Sequence, residues 1–415
     1  MQQAADQQAR DTAEHVARRS YGKLIAYLSA RTRDVAGAED ALSDAFAAAL
    51  ADWPANGIPD NPEAWLMAVA HRRAIDAARR RRTGLAAENH VRLITEELAS
   101  AAADAMDIPD QRLALMFACA HPAIEPGIRA PLILQTILGF DAATIASAFL
   151  VAPATMGQRL TRAKGKIRQA GVPFRVPDRA DLRERLDAVL AAIYASFAEG
   201  WSDPGGTQAR RRNMAQEGIW LGRLVVSLMP DEPEALGLLA LMLHAEARRG
   251  ARRNAEGDYV PLAEQGPADW NVDLIEEAEA LLHRASRLGH VGRYQLEAAV
   301  QSAHGVRRLT GAADWDAIVR LYDALLAMTG SPVVAINRAV AIAETQGAAA
   351  GLAALDALAD DARLAEYQPY WAARAGLLAR TGDTEAARAA YERAIGLESD
   401  PAVRRFLQKE KKARE

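Results

Sequence analysis

Residues 141–168 read DAATIASAFLVAPATMGQRLTRAKGKIR, and their spacing decides how the rest of the chain is read. Asp141 is placed to cap a first helix that turns Ile145 and Phe149 inward. Val151-Ala152-Pro153 breaks that helix, and Pro153 suits the first turn of the next. Met156, Leu160, Ala163 and Ile167 then recur at helical spacing as one apolar stripe. At about 100° per residue, Gln158, Arg162 and Lys166 fall on the opposite face, with Thr155 and Arg159 beside them. This is the layout of a helix-turn-helix. The second helix rests its apolar stripe on its own domain and offers amides and guanidinia to a major groove. The charges alone would also suit a basic amphipathic surface helix; the break geometry and the second helix's composition together favour DNA binding.

Working outward, the 415 residues are half hydrophobic but only 6% aromatic, so Ala and Leu fill the cores. That composition predicts an all-α fold, and alternating β-branched runs are scarce. The net charge of -4 does not by itself suggest a nucleic-acid binder, but basic residues cluster at Arg72 to Arg82 and at Arg159 to Arg175. Cys119 is the single cysteine, which excludes a disulfide framework and a cysteine-rich zinc site. No apolar run is long enough to span a bilayer and no leader-like segment precedes the first polar residues, so a cytoplasmic protein without membrane contact is expected. Phosphate-binding Gly-rich loops, G-x-S-x-G elbows and H-E-x-x-H pairs are absent. The expectation is therefore a non-enzyme with no catalytic residues, no metal and no cofactor.

A first helical unit is expected over about 15–82. Within it, Asp34 to Leu50 is strongly helical, with Leu42, Phe46 and Leu50 on one stripe and Glu39, Asp40 and Asp44 on the acidic side. Trp53-Pro54 to Asn61-Pro62 reads as a turn-rich loop, and Asn61 can cap a helix that runs from Trp65 into Arg79-Arg80-Arg81-Arg82. Residues 83–107 are Ala-rich and acidic and read as a tether. Residues 108–173 hold the helix-turn-helix and its supports. From about 181 to 415 the chain is again helical, interrupted by an irregular passage over Arg248 to Asp269 expected to be an exposed excursion. Gly311, Gly347 and Gly382 recur about every 35 residues, near the roughly 34-residue tetratricopeptide period, which predicts repeats from about 290.

Basic helix, acidic tether and helix-turn-helix, in that order, resemble a sigma factor of the extracytoplasmic-function class. AEDALSDAF (Ala38 to Phe46) with PEAWLMAVAHRRAIDAARRR (Pro62 to Arg81) resembles the class's region 2, and TIASAFLVAPATMGQRLTRAKGKIR (Thr144 to Arg168) its region 4. FAEGWSDP (Phe197 to Pro204) and the terminal repeats resemble the subgroup with a long C-terminal helical extension carrying tetratricopeptide-like repeats. The resemblance implies that core RNA polymerase and promoter DNA are the partners. Asp40 and Asp44 would meet basic groups on the polymerase clamp helices, with Ser43 standing where the class usually has Gln. Trp53 and Asn56 would hold a base flipped from the opened duplex. His71, Arg72, Arg79 and Arg80 would lie along the DNA, Arg72 replacing a usual Asn. In region 4, Gln158, Thr161 and Arg162 align with base-facing positions, while Arg159 and Lys166 suit phosphates. The acidic tether would imitate an RNA backbone in the polymerase channel.

Two other readings stand beside this one. An ordinary helix-turn-helix regulator with a helical sensor domain would explain Asp141 to Arg168 but not region 2. Alternatively the chain is an enzyme or scaffold whose C-terminal half does the work, with Tyr194, Glu199, Trp201, Arg211, Arg212, His244, Glu246 and Arg248 as pocket-lining candidates. Phe197, Glu199 and Trp201 are also candidates for a regulatory contact, within the chain or with a partner protein. Against that, Gly200 could simply cap a helix flanked by packed aromatics.

Overall fold

The structure is a computed structural model and describes residues 2–81, 111–149, 151–175, 177, 179–201 and 209–413. The expected acidic tether, 83–107, lies outside the described residues, as do the side chains of Arg79, Arg80, Arg211 and Arg212. The described residues fold as α-helices and short 3-10 turns. Their only extended pairing is an isolated antiparallel bridge between Arg253 and Tyr259, so the fold is all-α. None of the described helices is long and apolar enough to cross a membrane. The chain divides into two compact units, Met1–Ser196 and Phe197–Glu415.

In the first unit, α1 (Gln2–Thr32), α2 (Val35–Asn56) and α3 (Pro62–Arg81) pack on one another. Asp34 caps α2 by accepting from the Gly37 N–H at 3.1 Å. Asn61 caps α3 by accepting from the Ala64 N–H at 3.0 Å. Each cap satisfies a backbone donor that the first helical turn cannot. Helix α2 buries Ala38, Ala41, Leu42, Ala45, Ala49 and Trp53. Leu50, expected on the stripe with Leu42, is 46% exposed. Eight residues beyond Leu42 it has turned by about 80°, and the small Ala49 takes the core position. The expected loop from Trp53 is also corrected. Helix α2 continues through Pro54 to Asn56 and stops at Gly57, whose φ of 90° is open to glycine and whose N–H donates to the Trp53 carbonyl at 2.9 Å. Pro54 removes one helical hydrogen bond, while Trp53, 2% exposed, anchors the last turn in the core.

The unit continues with α4 (Arg112–Cys119), α5 (Pro126–Thr136), α6 (Ala142–Ala148) and α7 (Pro153–Gln169). Its core here is built from Leu115, Met116, Phe117, Cys119, Leu132 and Ile133. Helix α8 (Arg179–Trp201) follows, and the division between the units falls within it.

The second unit holds α9 (Ala209–Leu228), α10 (Pro233–Ala247), α11 (Val272–Ser286), α12 (Arg293–Gly305), α13 (Arg307–Thr310), α14 (Trp315–Thr329), α15 (Pro332–Gln346), α16 (Ala348–Asp356), α17 (Gln368–Thr381), α18 (Thr384–Leu397) and α19 (Pro401–Lys412). Most pack on their chain neighbours, while α12 packs mainly on α10 and α14, two helices away on either side; in either case the contacts stay between helices close in the chain, the arrangement in which stability is a sum of adjacent interfaces. The glycines that mark the sequence period stand at helix ends: Gly311 closes α13, Gly347 separates α15 from α16, and Gly382 closes α17. Gly351 serves packing instead. A Cβ there would lie 2.6 Å from the Ala343 Cβ and 2.7 Å from the Ala339 carbonyl oxygen, so α16 approaches α15 only because that side chain is missing. The passage Arg248 to Asp269, expected to be an exposed excursion, is partly folded in: Ala251 and Gln265 are buried, as is Trp270 directly after it.

Candidate nucleic-acid and polymerase interface

Helix α7 follows from the local sequence. Asp141 accepts from the Thr144 N–H at 2.7 Å and starts α6. After the break at Val151 and Ala152, Pro153 occupies the first turn of α7, where its missing N–H costs nothing. Met156, Leu160, Ala163 and Ile167 are all buried against the unit, α7 packing on α5 and α6. Thr155, Gln158, Arg159, Thr161, Arg162 and Lys166 are all exposed. The two expected faces thus coincide with the observed ones. Some exposed side chains are tied to their own helix: the Thr161 hydroxyl donates to the Gly157 carbonyl at 3.0 Å and Arg162 Nε to the Gln158 carbonyl at 3.3 Å. The rest of the Arg162 guanidinium remains available as a fork of donors.

On α2, Asp40, Ser43 and Asp44 are exposed on one face, as a docking surface requires. Asn56 is exposed and donates to Asp52 Oδ1 at 2.7 Å. Trp53 differs: its indole is buried edge-on against Trp65, ring centroids 5.6 Å apart. It faces protein, in the core role that competes with base capture. On α3, Arg72 and Arg73 are exposed and His71 is half-buried. Burial, followed by the nearby Arg31 cation, lowers the His71 pKa, which keeps its imidazole neutral at pH 7.

The structure also joins the two expected modules through residues that sequence reasoning had not paired. Lys164 Nζ lies 2.5 Å from Glu39 Oε2, with side chains only 12% and 18% exposed. Arg168 approaches Asp34 at 3.7 Å. Burial raises the Glu39 pKa against the opposing pull of Lys164. The same burial, with Glu39 nearby, holds the Tyr21 hydroxyl and the Cys119 thiol neutral, so Cys119 is inert. Gly22 lets α1 close on the turn after α5, because a Cβ there would strike the Ile137 carbonyl oxygen. Glu39 was legible as an acidic residue of α2, but a partner 125 residues away leaves no local signal.

Residues 16–83 match the Sigma-70 region 2 family. This N-terminal match supports a sigma-70-family factor. Members of that family are non-enzymatic transcription initiation factors. Residues 185–286 match a family of unknown function, DUF6596. An uncharacterized protein of Rhizobium meliloti (strain 1021) is 38% identical over 391 residues, which cover 93% of this chain and 91% of the relative. No solved structure matches. The region 2 match takes in Asp40, Ser43, Asp44, Trp53, Asn56, His71, Arg72, Arg79 and Arg80. The α7 face lies outside both family matches. Phe197, Glu199 and Trp201 lie inside the second. Phe197 is buried, Gly200 continues the helix, and Trp201 Nε1 donates to the Ala245 carbonyl at 3.2 Å. The proposed cap at Gly200 is therefore not formed.

Proposed function

We propose that this sigma-70-family factor is of the extracytoplasmic-function type, bringing core RNA polymerase to specific promoters through region 2 and a region 4 helix-turn-helix formed by α6 and α7. The observation that carries the reading is the division of α7 into a buried apolar stripe and an exposed face carrying polar and basic side chains. It follows, in the same chain, a segment matching Sigma-70 region 2. Phosphate contacts from Arg159 and Lys166 would set register, and Gln158, Thr161 and Arg162 would read base edges. Asp40, Ser43 and Asp44 would meet the polymerase. A polymerase subunit works where the chromosome is, which supports a cytoplasmic setting. The C-terminal unit, with helices packed on those one or two places along the chain, is read as a tetratricopeptide-like domain that regulates the sigma modules.

The test is charge reversal on α2. The full chain should co-migrate with core RNA polymerase, and the double variant Asp40→Lys/Asp44→Lys should lose that association while keeping its helical content. Undiminished association of the double variant would remove α2 from the interface. Failure of the unaltered chain to associate would favour the runner-up, a DNA-binding regulator without a polymerase role.

A further inference from the structure

The end of α10 runs into Arg248-Arg249-Gly250-Ala251-Arg252-Arg253, and the second unit folds Arg307 toward the same place. Two of these five guanidinium groups meet carboxylates: Arg249 pairs with Glu246 at 2.8 Å, and Arg253 pairs with Asp400. The other three meet only neutral groups among the described residues. Arg248 donates to the Gln301 side-chain oxygen and, at 3.4 Å, to the His244 carbonyl. Arg252 donates to the Trp201 carbonyl at 2.8 Å and lies 3.7 Å over the Trp201 ring. Arg307 donates to the carbonyls of Leu262 and Ala263, each at 3.0 Å, and to that of Gln265. Arg248 and Arg307 share one aromatic ring, their guanidinium carbons 5.9 and 5.5 Å from the centre of Trp270.

Three cations held by neutral acceptors in a desolvated place are unfavourable unless an anion joins them. The nearby carboxylates are engaged elsewhere: Asp400, which acts on Arg252, pairs with Arg253, and Glu279 lies 3.5 Å from His244 Nε2 and accepts from Ser302. His304 and His244 are neutral, burial with the help of Arg248 holding the pKa of each at about 4. The Tyr322 hydroxyl, pushed up to about 12, is neutral too. Burial, then Arg252 and Arg307, lower even the Arg248 pKa, to about 10. Yet Arg248, Arg252, Arg307 and His304 all keep partial solvent exposure. They are packed closely by protein without being wholly enclosed, so an ion from solvent can reach them. The cluster holds arginine only, and a guanidinium offers the paired donors that match planar or tetrahedral oxyanions.

We propose that Arg248, Arg252 and Arg307 form an anion-binding site in the C-terminal unit, built for a small molecule bearing a dianionic phosphoryl group. Three guanidinium groups with no carboxylate bonded to them call for more than one negative charge, and a phosphoryl group supplies two with three acceptor oxygens. Trp270 and neutral His304 would border the ligand, Trp270 as an apolar wall and His304 as a hydrogen-bonding group. The inference stands apart from the sigma reading, because it concerns only the second unit.

The experiment is a calorimetric titration of the full chain at fixed ionic strength with inorganic phosphate, with glycerol phosphate as a monoester, and with succinate as a dicarboxylate of the same charge. The expected result is saturable one-site binding of at least one phosphoryl probe, with succinate weaker. Phosphate alone would point to the free anion, and the monoester bound more tightly would point to an esterified metabolite. Arg248→Gln and Arg307→Gln should each weaken that binding by about tenfold or more, as expected for a lost charge-assisted bond. Thermal unfolding gives a second readout. Phosphate should raise the midpoint of the unaltered chain, and Arg248→Gln should shrink that rise at the same phosphate concentration without lowering the ligand-free midpoint, since it removes a desolvated charge with no carboxylate bonded to it. Absence of saturable binding by both phosphoryl probes, or binding unchanged in both variants, would overturn the site. Succinate binding as tightly as phosphate would overturn the phosphoryl assignment.

Discussion

Replacing Lys164 with Met leaves Glu39 where it is, largely buried and without its cation. The pair joins α7 to α2 at 2.5 Å with 12% and 18% of the two side chains exposed. Removing one member of a fully buried pair costs about 3–5 kcal/mol, because the remaining charge stays desolvated. The residual exposure reduces this to about 2–3 kcal/mol. For a unit of this size, such a loss lowers the unfolding midpoint by about 4–12 °C. The pH dependence carries more information than the size. Burial already raises the Glu39 pKa, and Lys164 is the chief force pulling it down. An acid with a raised folded pKa contributes most stability below its unfolded value, about 4.3, and loses it as pH rises through the folded value. The Lys164→Met deficit should therefore be largest at neutral pH and shrink as acid protonates Glu39. The double variant Glu39→Leu/Lys164→Met should recover most of the loss, since apolar isosteres of a buried pair are close to neutral. Thermal unfolding of the full chain, followed by circular dichroism across pH 4.5 to 8, measures this. A deficit independent of pH, or a double variant as unstable as the sum of the singles, would refute the buried-pair reasoning.

Other outcomes follow from the same reasoning. Arg162→Ala should relax discrimination at one or two promoter base pairs by about 1–3 kcal/mol, whereas Lys166→Ala should weaken binding evenly and flatten its salt dependence; a binding-site selection with both variants distinguishes them. His244 and His304 have folded pKa values of about 4, so the stability they confer is present above the ordinary histidine value and drains away as pH falls from about 6.5 toward 4. His244→Leu should flatten that fall for the C-terminal unit in an acid titration of its helical signal. Gly351→Val, which drives a branched side chain into Ala343 and the Ala339 carbonyl, should destabilise the same unit by about 1–3 kcal/mol in denaturant unfolding.

Much of the N-terminal unit was legible because its signals are local. Asp34 to Leu50 declares a helix, Asn61-Pro62 a cap, and Asp141, Pro153 and the Met156 to Ile167 stripe depend on spacing alone. The misreadings share a cause: tertiary packing overrode local preference. Pro54 and Asn56 read as loop residues, but Trp53 is anchored in the core and carries the helix to Gly57. Leu50 reads as core by hydrophobicity, but Ala49 and Trp53 hold the buried phase. The pairing of Glu39 with Lys164 and the meeting of Arg307 with Arg248 and Trp270 depend on contacts across the chain that no window of sequence contains. The one available signal for the latter was four arginines within six residues followed by Tyr259 and Trp270. That pattern was read as an exposed excursion because charge, Gly and Pro usually mark one.

In the proposed function the exposed face of α7 selects promoters while region 2 engages the polymerase. The most direct test is run-off transcription on fragmented DNA from the source genome, using core RNA polymerase with the full chain or with the Arg162→Ala variant. Initiation is expected at a small set of sites sharing an upstream element, with altered preference within that element for Arg162→Ala. No initiation above core enzyme alone, or an identical set of start sites from both proteins, would contradict it.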